Sequence, residues 1–405
     1  MKLLPPRRRG WSVPLPSVAG ASCSCLFLLL AACRDRSTPP ADAADSPAPP
    51  APATTWPVTR GGPTLSGRVA GPAPASPEVE WTFPLESPAM AEAAAAEGVI
   101  VVGDAMGWVY CIDVETRGLR WKFETGDSIE AAPALEDGRA FVGSNDGFFY
   151  ALDLATGDKL WSIEGGDKFS SAPNLVPSPD GSATWLLVNG FDGITRCLSP
   201  ADGSEVWTYD AGSPINGTPA LIDGRFVAFG GCDNVVHVLR FEDGTLANEL
   251  ATDSQITHSV ATAGTTIYSG NYANQLIAAE ATGEQLLWVH EGGEFPFFSA
   301  PAVDDRHVYI GCRDKALHAV NRGDGGPAWT FPTGARVESA PIVFDDAVVF
   351  GSSDGRLYAA DPADGGEIWR LDLGESLTAA PIFAGGRIVI AGGDGTLFVV
   401  GTGSG

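Results

Sequence analysis

Positive charge is scarce in this chain: 25 Lys and Arg stand against 50 Asp and Glu, a formal charge of −25. Such a surface repels nucleic acid and anionic lipid head groups, so both are set aside as partners of the folded part. Cysteine is also sparse. Seven are present, no two adjacent and none in a C-x-x-C or other metal-ligand spacing. The five histidines, His237, His258, His290, His307 and His318, form no i, i+2 or i, i+4 pair. They read as surface or strand residues; only the shared hairpin of His307 and His318 keeps a metal reading open. G-x-S-x-G, H-E-x-x-H and phosphate-loop motifs are missing too. No catalytic residue emerges from these absences.

What is present is a globular composition, 44% hydrophobic, with 50 Gly and 31 Pro, which suits a turn-rich all-β protein. Lys2 and Arg7 to Arg9 give a basic start, and the apolar run Val18 to Ala32 is too short for a comfortable membrane span. The run ends LAAC, Leu30 to Cys33. Residues 1–32 are therefore expected to be an export signal. Residues 33–77, rich in Pro and Ala, are expected to be a disordered linker, and residues 78–405 the folded domain. Cys23 and Cys25 leave with the signal. Cys111, Cys197, Cys232 and Cys312 then read as buried free thiols, although export permits a disulfide.

The folded part is a repeat. The phrase DLATGDKLW (Asp153 to Trp161) returns as DVETRGLRW, SPADGSEVW, EATGEQLLW, NRGDGGPAW and DPADGGEIW. Its closing residues are Trp121, Trp161, Trp207, Trp288, Trp329 and Trp369, and Trp81 ends an isolated early copy. The period is about 40 residues, with Asn248 at one skipped position. Inside each unit a short strand follows "AP", a β-branched strand follows a turn, and Asp-Gly or a similar turn leads to a third strand. The phrase then turns the chain into a fourth. Four short antiparallel strands per 40 residues is the pattern of a propeller blade. Eight second strands are expected, the first near Val99–Gly103 and the last near Arg387–Ala391. The last unit lacks its Trp strand, so the early strand around Trp81 is expected to complete it and close the ring.

The A-x-D-x-x-T-G-x-x-x-W form, best kept at Ala151, Asp153, Thr156, Gly157 and Trp161, resembles the tryptophan-docking motif of the quinoprotein, or PQQ-repeat, β-propellers. Repetition argues for scaffold: a cofactor box has no need of several copies. Asp caps its own turn, Gly supplies backbone freedom, and Trp packs against the next blade. WPVTRGGPTLSG, Trp56 to Gly67, resembles the leader that precedes such repeats. LAAC resembles a bacterial lipobox, which implies acylation of Cys33 and a tether worth about 0.8 kcal/mol per buried CH₂. Arg34, rather than Asp, after that Cys favours the outer membrane.

Lipobox, length and blade number together resemble the BamB lipoproteins of outer-membrane β-barrel assembly. That resemblance implies a non-enzymatic, periplasm-facing scaffold with an envelope protein partner, no cofactor and no small-molecule ligand. The same superfamily contains dehydrogenases that use PQQ and calcium, so a PQQ- and calcium-dependent oxidoreductase, or a propeller that binds a small ligand, stands as the alternative. The adjacent Cys pair of many such enzymes is absent here.

One ring of positions varies. Three residues before the "P" of each "AP" stand Met90, Glu130, Ser170, Asn216, Thr257, Phe298, Glu338 and Thr378. This ring is expected at the channel mouth. Glu130, Asn216 and Glu338 read either as a cation site or as a solvated acidic rim. Phe295 and Phe298 are out-of-pattern aromatics, read either as a protein-binding hot spot or as a channel plug. Glu130, Glu338, Phe295 and Phe298 are the candidate partner-binding residues.

Overall fold

The computed structural model describes residues 55–256 and 258–402. The expected signal, Cys33 and Thr257 lie outside these residues. No helix among the described residues is long and apolar enough to cross a membrane. The described chain forms eight four-stranded antiparallel sheets and one 3-10 turn at Thr59–Gly61. Blades 1 to 7 are consecutive: residues 94–124, 134–164, 174–210, 220–251, 261–291, 302–332 and 342–372. Blade 8 joins the two ends of the chain. Strand Pro77–Pro84 pairs with Thr396–Thr402, with Trp81 opposite Val399, and completes the sheet begun by Ile382–Ala384 and Arg387–Ala391. The eight-bladed all-β ring and its closure are as the repeat implies. Closure leaves no open seam between first and last blades.

The blades taper. Innermost strands have two to four residues and outer ones six to eight. Second and third strands are buried along their central residues, as in Val99–Gly103 and in Val109 to Ile112 of Trp108–Asp113. Each blade carries a register shift just before its docking position; Cys111 faces Trp121 while Ile112 faces Leu119. One extra residue there twists the outer strand and aims the side chain at the next blade.

The docking itself is now explicit. The indole N–H of Trp121 donates to Leu154 O at 2.9 Å, that of Trp161 to Pro200 O at 3.2 Å, and that of Trp207 to Phe241 O at 3.0 Å. Trp288 donates to Arg322 O at 3.0 Å and Trp329 to Pro362 O at 3.1 Å. Each ring lies on the glycine of the next phrase. A Cβ at Gly157 would sit 2.7 Å from Trp121, and one at Gly365 equally close to Trp329. Trp81 shares a recess with Arg117, which takes the glycine position at φ 58. Trp369 packs half-buried against the core that joins blades 7, 8 and 1. The phrase is thus a fastener made of one blade's Trp and the next blade's turn.

Residues 55–77 depart from the linker reading. Trp56 pairs with Ala95, and Trp56, Val58, Leu65 and Val69 are all buried. The segment runs around the channel and bonds to seven inner strands in turn. Pro57 O accepts from Leu135 N; Pro63 O accepts from Asn174 Nδ2 and Leu221 N. Thr64 O accepts from Thr262 N, Ser66 O from Val303 N, and Gly67 O from Val343 N. The physical reason is that innermost strands present unpaired amides to the channel, and those amides need acceptors. We call residues 56–69 the strap. The four cysteines Cys111, Cys197, Cys232 and Cys312 are free thiols.

Candidate functional site at the channel mouth

Alternation of strand direction puts the loops before each "AP" and the second-to-third-strand hairpins at one end of the ring. The phrase turns and the 177–184 insertion lie at the other end. The packing positions at the mouth, Ile129, Phe169, Ile215, Ile256, Phe297, Val337 and Leu377, are buried almost completely, as the alignment of units implies. The variable positions Met90, Glu130, Ser170, Asn216, Glu338 and Thr378 open onto one funnel of about 160 Å³.

The strap forms the floor of that funnel. Thr59 and Arg60 enter it from the far side and meet Glu92. Thr59 Oγ1 and Arg60 N both donate to Glu92 Oε1, the latter at 2.7 Å. The Arg60 guanidinium reaches on to Pro341 O at 2.5 Å and Pro301 O at 3.4 Å. Burial pushes Glu92 up from the usual carboxylate range and Arg60 down from its own; their mutual attraction opposes both shifts. His258 is exposed at the mouth and lines the funnel; partial loss of water against the funnel walls lowers its imidazole from the usual value.

Neither candidate carboxylate is a free ligand. Glu130 accepts from Lys168 Nζ at 3.3 Å. Glu338 is held by Arg313 Nε at 2.6 Å, with Arg336 at 3.5 Å. The acidic rim of the sequence is a set of ion pairs. The aromatics separate in role. Phe298 is half-buried under the Arg313 guanidinium, 3.7 Å from its ring centroid, with His258 and Tyr272 edge-on at 5.3 and 6.3 Å. It does not line the funnel floor, so it is not the plug; the strap is. Phe295 stands 46% exposed beside this ridge, and Tyr272 is equally exposed. The structure therefore groups Phe295, Phe298 and Glu338 on blades 5 to 7 and leaves Glu130 on blade 2.

Sequence reasoning missed Arg60, Glu92, Lys168 and Arg313. It also missed the use made of the hairpin Asp. Asp146 accepts from Tyr150 Oη at 2.7 Å, Asp192 from Arg196 at 2.5 Å, and Asp354 from Tyr358 at 2.8 Å. Asp233 and Asp314 meet His237 and His318, each at 2.8 Å. His318 thus belongs to a repeated structural pair. His307 sits at the other end of its hairpin, opposite Asn321, and touches Tyr309.

No curated protein matches the chain by sequence. Among solved structures, BamB from Moraxella catarrhalis is similar at 19% identity and TM-score 0.66, over 82% of this chain and 99% of that one. The computationally designed Ika8 protein matches at 22% identity and TM-score 0.66, over 78% and 96%. Quinohemoprotein alcohol dehydrogenase from Comamonas testosteroni matches at 13% identity and TM-score 0.73, over 87% and 81%. These likenesses carry the fold, which scaffold and dehydrogenase share. The sequence itself is more specific: the model of the outer membrane protein assembly factor BamB family matches residues 65–182 and 191–405, most of the propeller, and this chain belongs to that family.

Proposed function

We propose that the protein is a non-enzymatic envelope scaffold, lipid-anchored through Cys33, that holds a protein partner of outer-membrane assembly at the Phe295 side of its channel mouth. The observation that carries this reading is the strapped channel. A funnel of about 160 Å³ with an internally bonded floor falls below the roughly 300–1,000 Å³ of ordinary small-ligand sites. The two carboxylates on its wall, Glu130 and Glu338, are each paired with a neighbouring cation. Beside it, Phe295 is exposed next to a ridge in which Arg313 is already stacked and ion-paired. A fixed aromatic and arginine ridge is the kind of surface that concentrates protein-binding energy. Membership of the assembly-factor family supports the same reading.

The test pairs two measurements on the purified full chain. Incubation with PQQ and Ca²⁺, followed by dye reduction with alcohols and sugars, is expected to give no turnover. Capture from envelopes is expected to retain an outer-membrane assembly protein with the parent and to lose it with Phe295→Asp. Clear turnover, or capture indifferent to Phe295→Asp, overturns the reading.

A further inference from the structure

The second-to-third-strand hairpin of blade 6 differs from its siblings at two positions at once. In blades 2 and 7 the first turn residue is Ser144 or Ser352, and the partner of the turn Asp is Tyr150 or Tyr358. Ser144 Oγ donates to Asp127 O and accepts from Asp146 N. In blade 6 these positions hold Cys312 and His318 around Asp314. The Cys312 thiol takes over the serine role, lying 3.5 Å from both Phe295 O and Pro296 O. The Asp-x-x-x-His pair is kept at 2.8 Å.

We propose that Cys312, Asp314 and His318 form a binding site for a zinc-class divalent cation. One ligand atom from each lies within 4.8 Å of the others. Thiolate, imidazole and carboxylate together are the donor set that suits Zn²⁺ and its neighbours. The three side chains already converge: Asp314 Oδ2 engages His318 at 2.8 Å, and the same carboxylate is bonded by the Cys312 thiol and the Ala316 backbone N–H. Blade 4 is the built-in contrast. It has the same Asp233–His237 pair, but its Cys232 falls one residue later, after Gly231, and is not part of such a cluster.

Binding replaces the Cys312 S–H bond with a metal–sulfur bond and releases one proton to solvent. Affinity consequently rises with pH. The cation would tie the hairpin to the segment that carries Phe295 and Phe297, since His318 lies edge-on to Phe297 at 5.3 Å and the thiol touches the carbonyls of 295 and 296.

The experiment titrates Co²⁺ into the reduced, chelator-treated full chain. The expected result is one equivalent bound, with thiolate-to-cobalt charge-transfer absorption that zinc abolishes by displacement. Cys312→Ser is expected to remove that absorption. His318→Tyr installs the side chain carried by blades 2 and 7. It is expected to weaken binding by about tenfold or more while the circular dichroism stays unchanged. Cys232→Ser is expected to change nothing. Absence of the charge-transfer band in the parent, its survival in Cys312→Ser, its loss in Cys232→Ser, or binding indifferent to His318→Tyr overturns the proposal.

Discussion

The ring of Trp121 lies on Gly157 of the next blade so closely that a Cβ there would be 2.7 Å from it. The two residues belong to consecutive copies of one phrase, and each defines what the other is for. Gly157 takes φ 79, and the indole N–H reaches past it to Leu154 O. Gly157→Ala adds left-handed backbone strain to overpacking, and about 2 kcal/mol or more of destabilisation is expected. Trp121→Phe leaves a carbonyl without its donor and is expected to cost about 1–3 kcal/mol. Urea unfolding midpoints check both.

Asn248 sharpens the same relationship. Without a Trp, the sequence suggests a weak joint that Trp restores. The structure gives Asn248 two bonds instead, from Nδ2 to Gly283 O at 2.7 Å and to Ala281 O at 3.1 Å. The receiving turn has changed with it. Glu284 occupies the place of Gly157, four residues before the strand's Trp, and it lacks the positive φ of that glycine. Asn248→Trp alone is therefore expected to destabilise by about 1–2 kcal/mol. Combined with Glu284→Gly it is expected to recover at least that loss. A double-mutant cycle in urea reads the coupling, and additivity would contradict a paired change.

The strap predicts a pH-dependent defect. Arg60 is the cation nearest the buried Glu92, whose carboxyl is already raised by burial. Arg60→Met leaves that carboxylate uncompensated, and about 3–5 kcal/mol of stability at pH 7 is expected to go. A carboxyl raised in the folded state binds more protons folded than unfolded. Stability is therefore present at low pH and lost as pH rises through the folded value. The variant should recover part of its deficit on mild acidification, seen as a smaller Tm difference from the parent at pH 5 than at pH 7.

The phrase carboxylates act with the opposite sign. Backbone N–H donation by Thr116, then Arg120 and the Thr116 hydroxyl, holds Asp113 down to about 2. Backbone donors at Thr156 and Ala155 lower Asp153. Their contribution is present above the unfolded value of about 4 and lost as pH falls toward 2. Tm measured from pH 5 to 2 should drop. Asp113→Asn, less stable at pH 7, should drop less.

Much of the ring was legible because a blade is local. Alternation, Asp-Gly turns and the spacing of Trp residues lie within 40 residues, and the unfinished eighth unit told where Trp81 must go. The strap was less legible. Its Pro and Gly content matches that of a linker, and its order comes from inner-strand amides of seven blades far away in sequence. Only Trp56 and its resemblance to a leader hinted at docking. The rim pairs were hidden for the same reason. Lys168 and Glu130 are 38 residues apart, and Arg313 and Glu338 are 25 apart, each pair spanning two blades. Counting acids alone suggested a charged rim where the fold supplies counter-ions.

The most direct test of the scaffold reading is site-specific photo-crosslinking in cells from position 295, with position 160 as control. Leu160 is as exposed as Phe295 but lies on an outer strand. The account predicts an adduct with an outer-membrane assembly protein from 295 and none from 160. No adduct from 295, or equal adducts from both positions, would contradict it.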